Sequence, residues 1–139
     1  MGGQAVNAYV EPLVSLDLDI VIAADQAGQI ESILPAGYRQ ERFPHSLTLS
    51  RTGSDLRIQI RTDPRCAPFV ARSWARDVLG VRLPVAALDD VLQGKIWAAT
   101  DLARRGSKRQ KDLADIARIL ESFPHLRDRV PAGILDRLA

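Results

Sequence analysis

The stretch Leu16-Asp17-Leu18-Asp19-Ile20-Val21-Ile22 is the segment of this chain that decides its fold. A strand places successive side chains on opposite faces, so Asp17 and Asp19 share one face. At about 3.3 Å per residue, their carboxylates lie roughly 6–7 Å apart. Two charges this close are stable where the face is wet, where a basic group pairs with them, or where they hold a divalent metal ion. The near-continuous apolar character of residues 16–23 predicts a central, mostly buried strand.

Size and composition describe one small globular domain with a helical extension. The chain has 139 residues, of which 46% are hydrophobic and 26% charged, as in ordinary soluble proteins. The net charge of +2 is too small to indicate nucleic-acid binding by itself, and we interpret the locally basic segment from Arg104 to Lys111 as a solvated helix start rather than as a phosphate-facing edge beside an acidic metal site. Because Cys66 is the only cysteine, an internal disulfide is excluded. With no secretory signal and no stretch long enough to span a bilayer, we predict a cytoplasmic protein that contacts no membrane.

The hydrophobic pattern predicts an α/β fold, with a small mixed β-sheet flanked by helices and a helical C-terminal part. We place the boundary between an α/β core over residues 1–86 and helices over residues 87–139. Trp74 and Trp97 are both expected in helices and in the core. The predicted strands cover residues 16–23, 38–43, 46–50, 56–62 and 81–85, and the predicted helices cover residues 3–9, 25–34, 68–78, 88–102, 108–122 and 131–138. Strands 46–50 and 56–62 alternate apolar residues on either side of a loop that contains Gly53, which predicts a hairpin between them.

Gly2 and Gly3 precede the first predicted helix and the paired carboxylates follow it. Glycine lets the backbone approach a phosphate closely. Paired carboxylates can hold the magnesium ions that assist phosphoryl transfer. Each signal is weak alone, because many such pairs are a wet strand face or a plain turn. Together they indicate a magnesium-dependent nucleotide site.

These elements resemble the nucleotidyltransferase superfamily, whose polymerase-beta-like fold carries Gly-Gly or Gly-Ser and then Asp-x-Asp on a strand. The C-terminal third resembles the branch related to AbiEii-type abortive-infection toxins. Members of that branch carry one helix with a lysine and a second helix with the pattern Arg-x-Lys-Asp-Leu-x-Asp. This chain has Lys95 in the first helix and Arg109-Gln110-Lys111-Asp112-Leu113-Ala114-Asp115 in the second.

The resemblance assigns a role to each candidate site residue. It implies that Gly2 and Gly3 contact a nucleoside triphosphate and that Asp17 and Asp19 bind Mg²⁺. The other three implied site residues, which lie near the phosphates or order the site, are Lys95, Lys111 and Asp112. If residues 108–115 have no role at the site, they form an exposed helix face whose acidic and basic residues make ordinary i,i+3 and i,i+4 ion pairs.

Three departures from the family pattern matter. The usual N-terminal helix and full first strand before the glycines are missing, so a sheet edge is exposed or is supplied by another chain. Residues 12–15 replace the usual Arg-x-Thr. Gln59 stands where the family has a third carboxylate; its oxygen can coordinate a metal ion, but it carries no charge and takes no proton at neutral pH. Asp63 lies about 13 Å farther along the same strand face and would serve only in another register.

The sequence leaves two main functions open. The first is a magnesium-dependent, toxin–antitoxin-like enzyme that moves a nucleoside monophosphate onto a hydroxyl of RNA (tRNA included) or of protein. The second is a catalytically degenerate relative that binds a nucleotide or a partner, with Arg57 or Arg61 paired to the aspartates in place of metal. A structural partner subunit is a third possibility. The implied partners are a nucleoside triphosphate, an RNA or protein acceptor, and a cognate antitoxin or a second copy of the chain.

Overall fold

A computed structural model describes residues 2–139, without the side chains of Ala24 and Glu31. It has the predicted α/β architecture. Its strands are β1 (Asp17–Val21), β2 (Tyr38–Phe43), β3 (Ser46–Arg51), β4 (Arg57–Arg61), β5 (Trp74–Val78) and β6 (Val81–Val85). Its α-helices are α1 (Gly2–Asn7), α2 (Ala27–Ile33), α3 (Ala67–Ala71), α4 (Leu88–Thr100), α5 (Gly106–Ser122) and α6 (Ala132–Leu138). Short 3-10 helices cover Ala24–Gln26, Pro64–Cys66 and Pro124–Arg129.

The first four strands form one mixed sheet in the order β1-β4-β3-β2. β1 runs parallel to β4, whereas β3 is antiparallel to both β4 and β2. The predicted hairpin between β3 and β4 is therefore confirmed. A two-stranded sheet of β5 and β6 stands apart from it. Leu79 and Gly80 join these strands with positive φ values of 52° and 84°, as a tight two-residue hairpin turn requires.

Two clusters of buried side chains stabilise the fold. The larger lies among α1, the β5–β6 hairpin and the C-terminal helices. Its α5 members follow helical spacing, because Leu113, Ile116 and Leu120 lie on one face. The smaller cluster, built on Leu47, Leu49 and Ile60, is covered by apolar side chains of α2 and of neighbouring strands. None of the helices within residues 2–139 combines the length and apolar character that a bilayer crossing needs.

Two structural expectations were wrong. β1 is an edge strand, since only β4 pairs with it among the strands described here. The apolar side chains of Leu16 and Ile20 are accordingly 56% and 38% exposed. The predicted helix over residues 68–78 ends at Ala71, and Trp74 begins strand β5 with 59% of the residue exposed. The proposed boundary near residue 86 falls between β6 and α4 and stays a prediction.

Candidate functional site

The loop between α1 and β1 folds back because side chains of α1 bind its backbone. The Asn7 amide donates to the Leu13 carbonyl at 2.8 Å, and its oxygen accepts from the Leu13 amide at 3.0 Å. The Gln4 amide donates to the Ser15 carbonyl at 2.9 Å. These bonds bring the start of β1 beside the start of α1. The glycine pair and the aspartate pair are thereby adjacent.

Gly2 lies directly against the side chain of Asp19. Its φ of +76° lies in the left-handed region, which side-chain-bearing residues adopt only with strain. A Cβ at this position would collide with the carboxylate of Asp19. A Cβ added at Gly3 would lie 3.2 Å from the hydroxyl oxygen of Ser15. Glycine is therefore needed at Gly2 on both conformational and steric grounds.

One cavity of about 80 Å³ collects seven of the eight predicted site residues. We call it the glycine–aspartate cavity. It lies between α1, β1, α4 and α5 and has five cationic and three acidic side chains among its lining residues. The predicted residues that line it are Gly2, Gly3, Asp17, Asp19, Lys95, Lys111 and Asp112, and the other charged ones are Arg61, Arg104 and Lys108. The excess of positive charge favours a phosphate-bearing ligand.

Both aspartates of β1 have basic partners. The Asp17 carboxylate lies 3.3 Å from the Nε of Arg57 and 3.7 Å from the Nζ of Lys108. The Asp19 carboxylate lies 3.5 Å from the Nε of Arg61. The side chains of Asp17 and Asp19 are 32% and 13% exposed. Partial exposure and these cations explain how two acids are tolerated at this position.

The eighth candidate, Gln59, lies outside the lining of this cavity. The parallel register places Gln59 directly beside Asp19 on β4. Its side-chain oxygen accepts a hydrogen bond from Arg61 at 3.1 Å. The alternative register that would bring Asp63 to this place is absent, because Asp63 follows β4 and binds Arg65 instead. Gln59 is therefore the β4 neighbour of Asp19, at the position where the resemblance implies a third carboxylate.

Lys95 lies in a buried ionic cluster with two carboxylates. Its ammonium is 2.9 Å from Asp112 and 2.7 Å from Asp115. Arg104 binds the second oxygen of Asp112 at 2.7 Å, and Arg118 binds that of Asp115 at 2.9 Å. Both carboxylates therefore pair with Lys95, and Lys111 lies exposed at the cavity. Arg118 also donates to the carbonyl of Glu11 and so ties α5 to the loop that follows α1.

Sequence reasoning underrated the basic segment from Arg104 to Lys111. It weighed a solvated helix start above a phosphate-facing edge. The structure places Arg104, Lys108 and Lys111 at the cavity. The spacing of three residues between Lys108 and Lys111 was the available signal, because residues so spaced lie on one helix face, whereas Arg104 precedes α5 and carried no such signal.

A second, polar cavity of about 400 Å³ adjoins the first. We call it the Trp97 cavity. At its wall, a hydrogen bond from Arg65 lowers the pKa of Asp63. Cys66 is buried beside this pair, and burial raises the pKa of its thiol. This thiol is therefore neutral and is not an activated nucleophile.

The donor set of the glycine–aspartate cavity fits a magnesium ion that arrives with its substrate. Magnesium prefers oxygen ligands and is commonly held by one or two carboxylates together with substrate phosphates. Asp17 and Asp19 supply such carboxylates at one cavity. Within residues 2–139, no group of three or more His, Cys, Asp or Glu side chains could hold a metal ion alone. Phosphate oxygens would therefore have to complete the coordination.

Solved structures with related folds are nucleotidyltransferase-like. An antigenic nucleotidyltransferase-like protein from Paracoccidioides brasiliensis is 19% identical and superposes with a TM-score of 0.53 over 87% of this chain. This chain spans 66%, just under two thirds, of that protein. The antibiotic-resistance factor ANT(2'')-Ia is 13% identical and superposes with a TM-score of 0.58. The superposition covers 98% of this chain and 83% of the ANT(2'')-Ia chain. At these identities the likeness shows the fold alone.

The family is shown by sequence. No curated protein matches this chain significantly. The sequence profile of the family described as "Nucleotidyl transferase AbiEii toxin, Type IV TA system" matches residues 4–138, nearly the whole chain. The match confirms the resemblance inferred from the Gly-Gly, Asp-x-Asp and C-terminal motifs. The chain belongs to the AbiEii nucleotidyltransferase toxin family.

Proposed function

We propose that this chain is a magnesium-dependent nucleotidyltransferase that moves a nucleoside monophosphate from a nucleoside triphosphate onto a hydroxyl of RNA or protein. The observation that carries the proposal is the gathering of seven candidate residues around one cavity with a surplus of positive charge. These residues come from the first 19 and from the last 45 positions of the sequence, so it is the fold that brings them together.

The chain's own residues would act by positioning and by charge. Asp17 and Asp19 would hold the magnesium ion, which when bound neutralises phosphate charge and orients the substrate. Lys108 and Lys111, on the exposed rim, would offset charge on the leaving pyrophosphate. The acceptor hydroxyl oxygen forms a bond to the α-phosphorus and gives its proton to water, while the bond from that phosphorus to the bridging oxygen breaks and pyrophosphate leaves. Positioning two reactants in this way can supply much of the rate enhancement.

A specific observation favours the alternative of a degenerate relative. Both aspartates are paired with arginines, and Gln59 replaces the third carboxylate. Gln59 cannot remove the proton of an acceptor hydroxyl. Such a chain would bind a nucleotide or a partner protein without turnover.

The experiment that separates the two candidates is thermal unfolding with each nucleoside triphosphate, with and without Mg²⁺. A ligand that binds only the native state raises the melting temperature. The proposal predicts stabilisation that needs Mg²⁺ and is lost in Asp17→Asn and Asp19→Asn, together with transfer of an α-phosphate label to RNA or protein. Metal-independent stabilisation that survives both substitutions, without transfer, would support the degenerate relative.

The family also implies a partner. AbiEii proteins are described as toxins of type IV toxin–antitoxin systems. A cognate antitoxin is therefore part of the proposal. Growth arrest on expression of this chain, relieved by a co-expressed neighbouring gene and absent in Asp19→Asn, would support it. Undiminished toxicity of Asp19→Asn would contradict the catalytic origin of the arrest.

A further inference from the structure

The glycine–aspartate cavity is too small for a whole nucleotide. Sites that enclose a small organic ligand usually measure about 300–1,000 Å³. This cavity measures about 80 Å³. It has room for phosphate groups and an ion, but the base and the sugar must lie elsewhere.

The Trp97 cavity is the polar space that continues from it. Its volume is about 400 Å³, within the range for organic ligands. The two cavities share four lining residues, Arg61, Gly94, Ala98 and Arg104. A third cavity of about 310 Å³ beside β1 shares only Asp19 with the first and is lined mainly by apolar side chains. The continuity of lining points to the Trp97 cavity.

The walls of the Trp97 cavity combine an aromatic surface with fixed polar groups. The Trp97 ring stacks on Phe69 with ring centres 5.7 Å apart, and the guanidinium of Arg65 lies 4.8 Å from its centre. The Arg65 guanidinium is itself held by three hydrogen bonds to the Asp63 carboxylate, of 2.8, 3.1 and 3.2 Å. Asp101 stands at the rim with one oxygen bound to the backbone amide of Ala103. The cavity is thus lined mainly by polar and charged side chains beside one aromatic ring, a combination that can hydrogen-bond the edges of a base and the hydroxyls of a sugar.

Arg104 lies at the junction of the two cavities. Its Nε donates to the buried Asp112 carboxylate at 2.7 Å, which fixes the guanidinium in place. No hydrogen bond from its terminal nitrogens is found within the part of the chain that the structure describes, and the side chain is 29% exposed. A fixed guanidinium with free donors can bind a phosphate.

We propose that the nucleoside of the triphosphate binds in the Trp97 cavity, while its phosphates occupy the glycine–aspartate cavity. Arg104 binds the phosphate nearest the sugar, and Arg65 and Trp97 contact the nucleoside. The inference rests on the proposed function for the identity of the ligand. It adds a nucleoside subsite whose residues lie in α4, in the segment after β4, and between α4 and α5.

The test uses Trp97 as a reporter. The chain has two tryptophans, so Trp74→Phe leaves Trp97 as the only one. In that background, Mg²⁺-bound nucleoside triphosphate is compared with Mg²⁺-bound inorganic tripolyphosphate, which lacks the nucleoside. We expect the nucleotide to change Trp97 emission and tripolyphosphate to leave it unchanged. Arg65→Gln should weaken nucleotide binding about tenfold and leave tripolyphosphate binding within about twofold. The control Arg82→Gln, on exposed β6, should affect neither ligand.

The outcomes separate this inference from the function on which it rests. If tripolyphosphate binding depends on Asp17 and Asp19 but neither Trp97 emission nor Arg65→Gln distinguishes the ligands, the nucleoside subsite is wrong and the phosphate site stands. If the nucleotide changes Trp97 emission while Asp17→Asn and Asp19→Asn leave its affinity unchanged, the subsite stands and the magnesium site is wrong. If neither ligand binds, both are wrong.

Discussion

Replacing Lys95 by methionine should strongly destabilise the fold. The Lys95 side chain is 8% exposed, and its partners Asp112 and Asp115 are 3% and 5% exposed. Removing one member of a buried ion pair costs about 3–5 kcal/mol, because the remaining charge is left uncompensated. Arg104 and Arg118 still bind one oxygen of each carboxylate, so we expect the lower end, about 3 kcal/mol.

Urea unfolding measures this loss directly. The midpoint should fall while the slope with denaturant stays the same. In a thermal scan, about 3 kcal/mol corresponds to a drop of about 10 °C for a chain of this size. Lys111→Met is the matched control, since Lys111 lines the same cavity but is exposed, and it should change stability by less than about 0.5 kcal/mol. A Lys95→Met variant within about 1 kcal/mol of wild type would refute the view that this cluster stabilises the junction of α4 and α5.

Other predictions follow from the same structure. Gly2→Ala should weaken Mg²⁺–triphosphate binding and cost about 1–2 kcal/mol of backbone strain. The control Gly28→Ala, whose added Cβ meets open space, should retain binding. Equal binding by both variants would count against the glycine site. Burial raises the pKa of Cys66 above its ordinary 9.0, so iodoacetamide should modify the native protein at pH 8 at least about tenfold more slowly than the unfolded chain. Equal rates would show an accessible thiol. The contribution of this thiol to stability should persist below pH 9.0 and fade as the pH rises through its native pKa. Because Arg65 lowers the pKa of Asp63, that carboxylate contributes stability above its ordinary pKa of 3.8 and loses this contribution as the pH falls through its native pKa. In Asp63→Asn, the urea midpoint should therefore fall less steeply below about pH 3.8 than in the wild type. An unchanged acid profile would contradict the pairing.

The predictions that succeeded rest on local chemistry. The Gly2-Gly3 pair and Asp17-Leu18-Asp19 are close in sequence, and a short loop can return the chain, so their adjacency follows from strand and helix geometry. The β3–β4 hairpin was predicted from alternating apolar residues on either side of a glycine-containing loop. The acidic and basic residues of α5 were placed at the site through a family resemblance rather than through any local rule.

The errors have physical causes. Apolar character in residues 16–23 signals burial, but it does not reveal how many neighbouring strands a strand has, and β1 proved to be an edge. Trp74 was expected in a helix because it has apolar neighbours in the segment from residue 68 to residue 78. The turn at Leu79-Gly80 instead pairs Trp74 with Val85 in a hairpin. Leu-Gly is not one of the common hairpin turn pairs, so the sequence carried little warning.

The pairing of Lys95 with two aspartates shows a different limit of sequence reasoning. Lysine and aspartate in helices that follow one another are consistent with an exposed face or with a buried cluster. Only the packing of α4 against α5 decides between them. That packing gives Lys95 a structural partner set and leaves Lys108 and Lys111 as the exposed cations at the cavity.

The central claim is that Asp17 and Asp19 bind a divalent cation together with a triphosphate. Anomalous diffraction from a crystal soaked in Mn²⁺ and a non-hydrolysable nucleoside triphosphate tests it most directly. We predict a manganese peak between the two carboxylates and the phosphates, with Arg57 and Arg61 moved away from them. Ordered phosphates without a manganese peak, with both guanidinium groups still bound to the aspartates, would contradict the catalytic account.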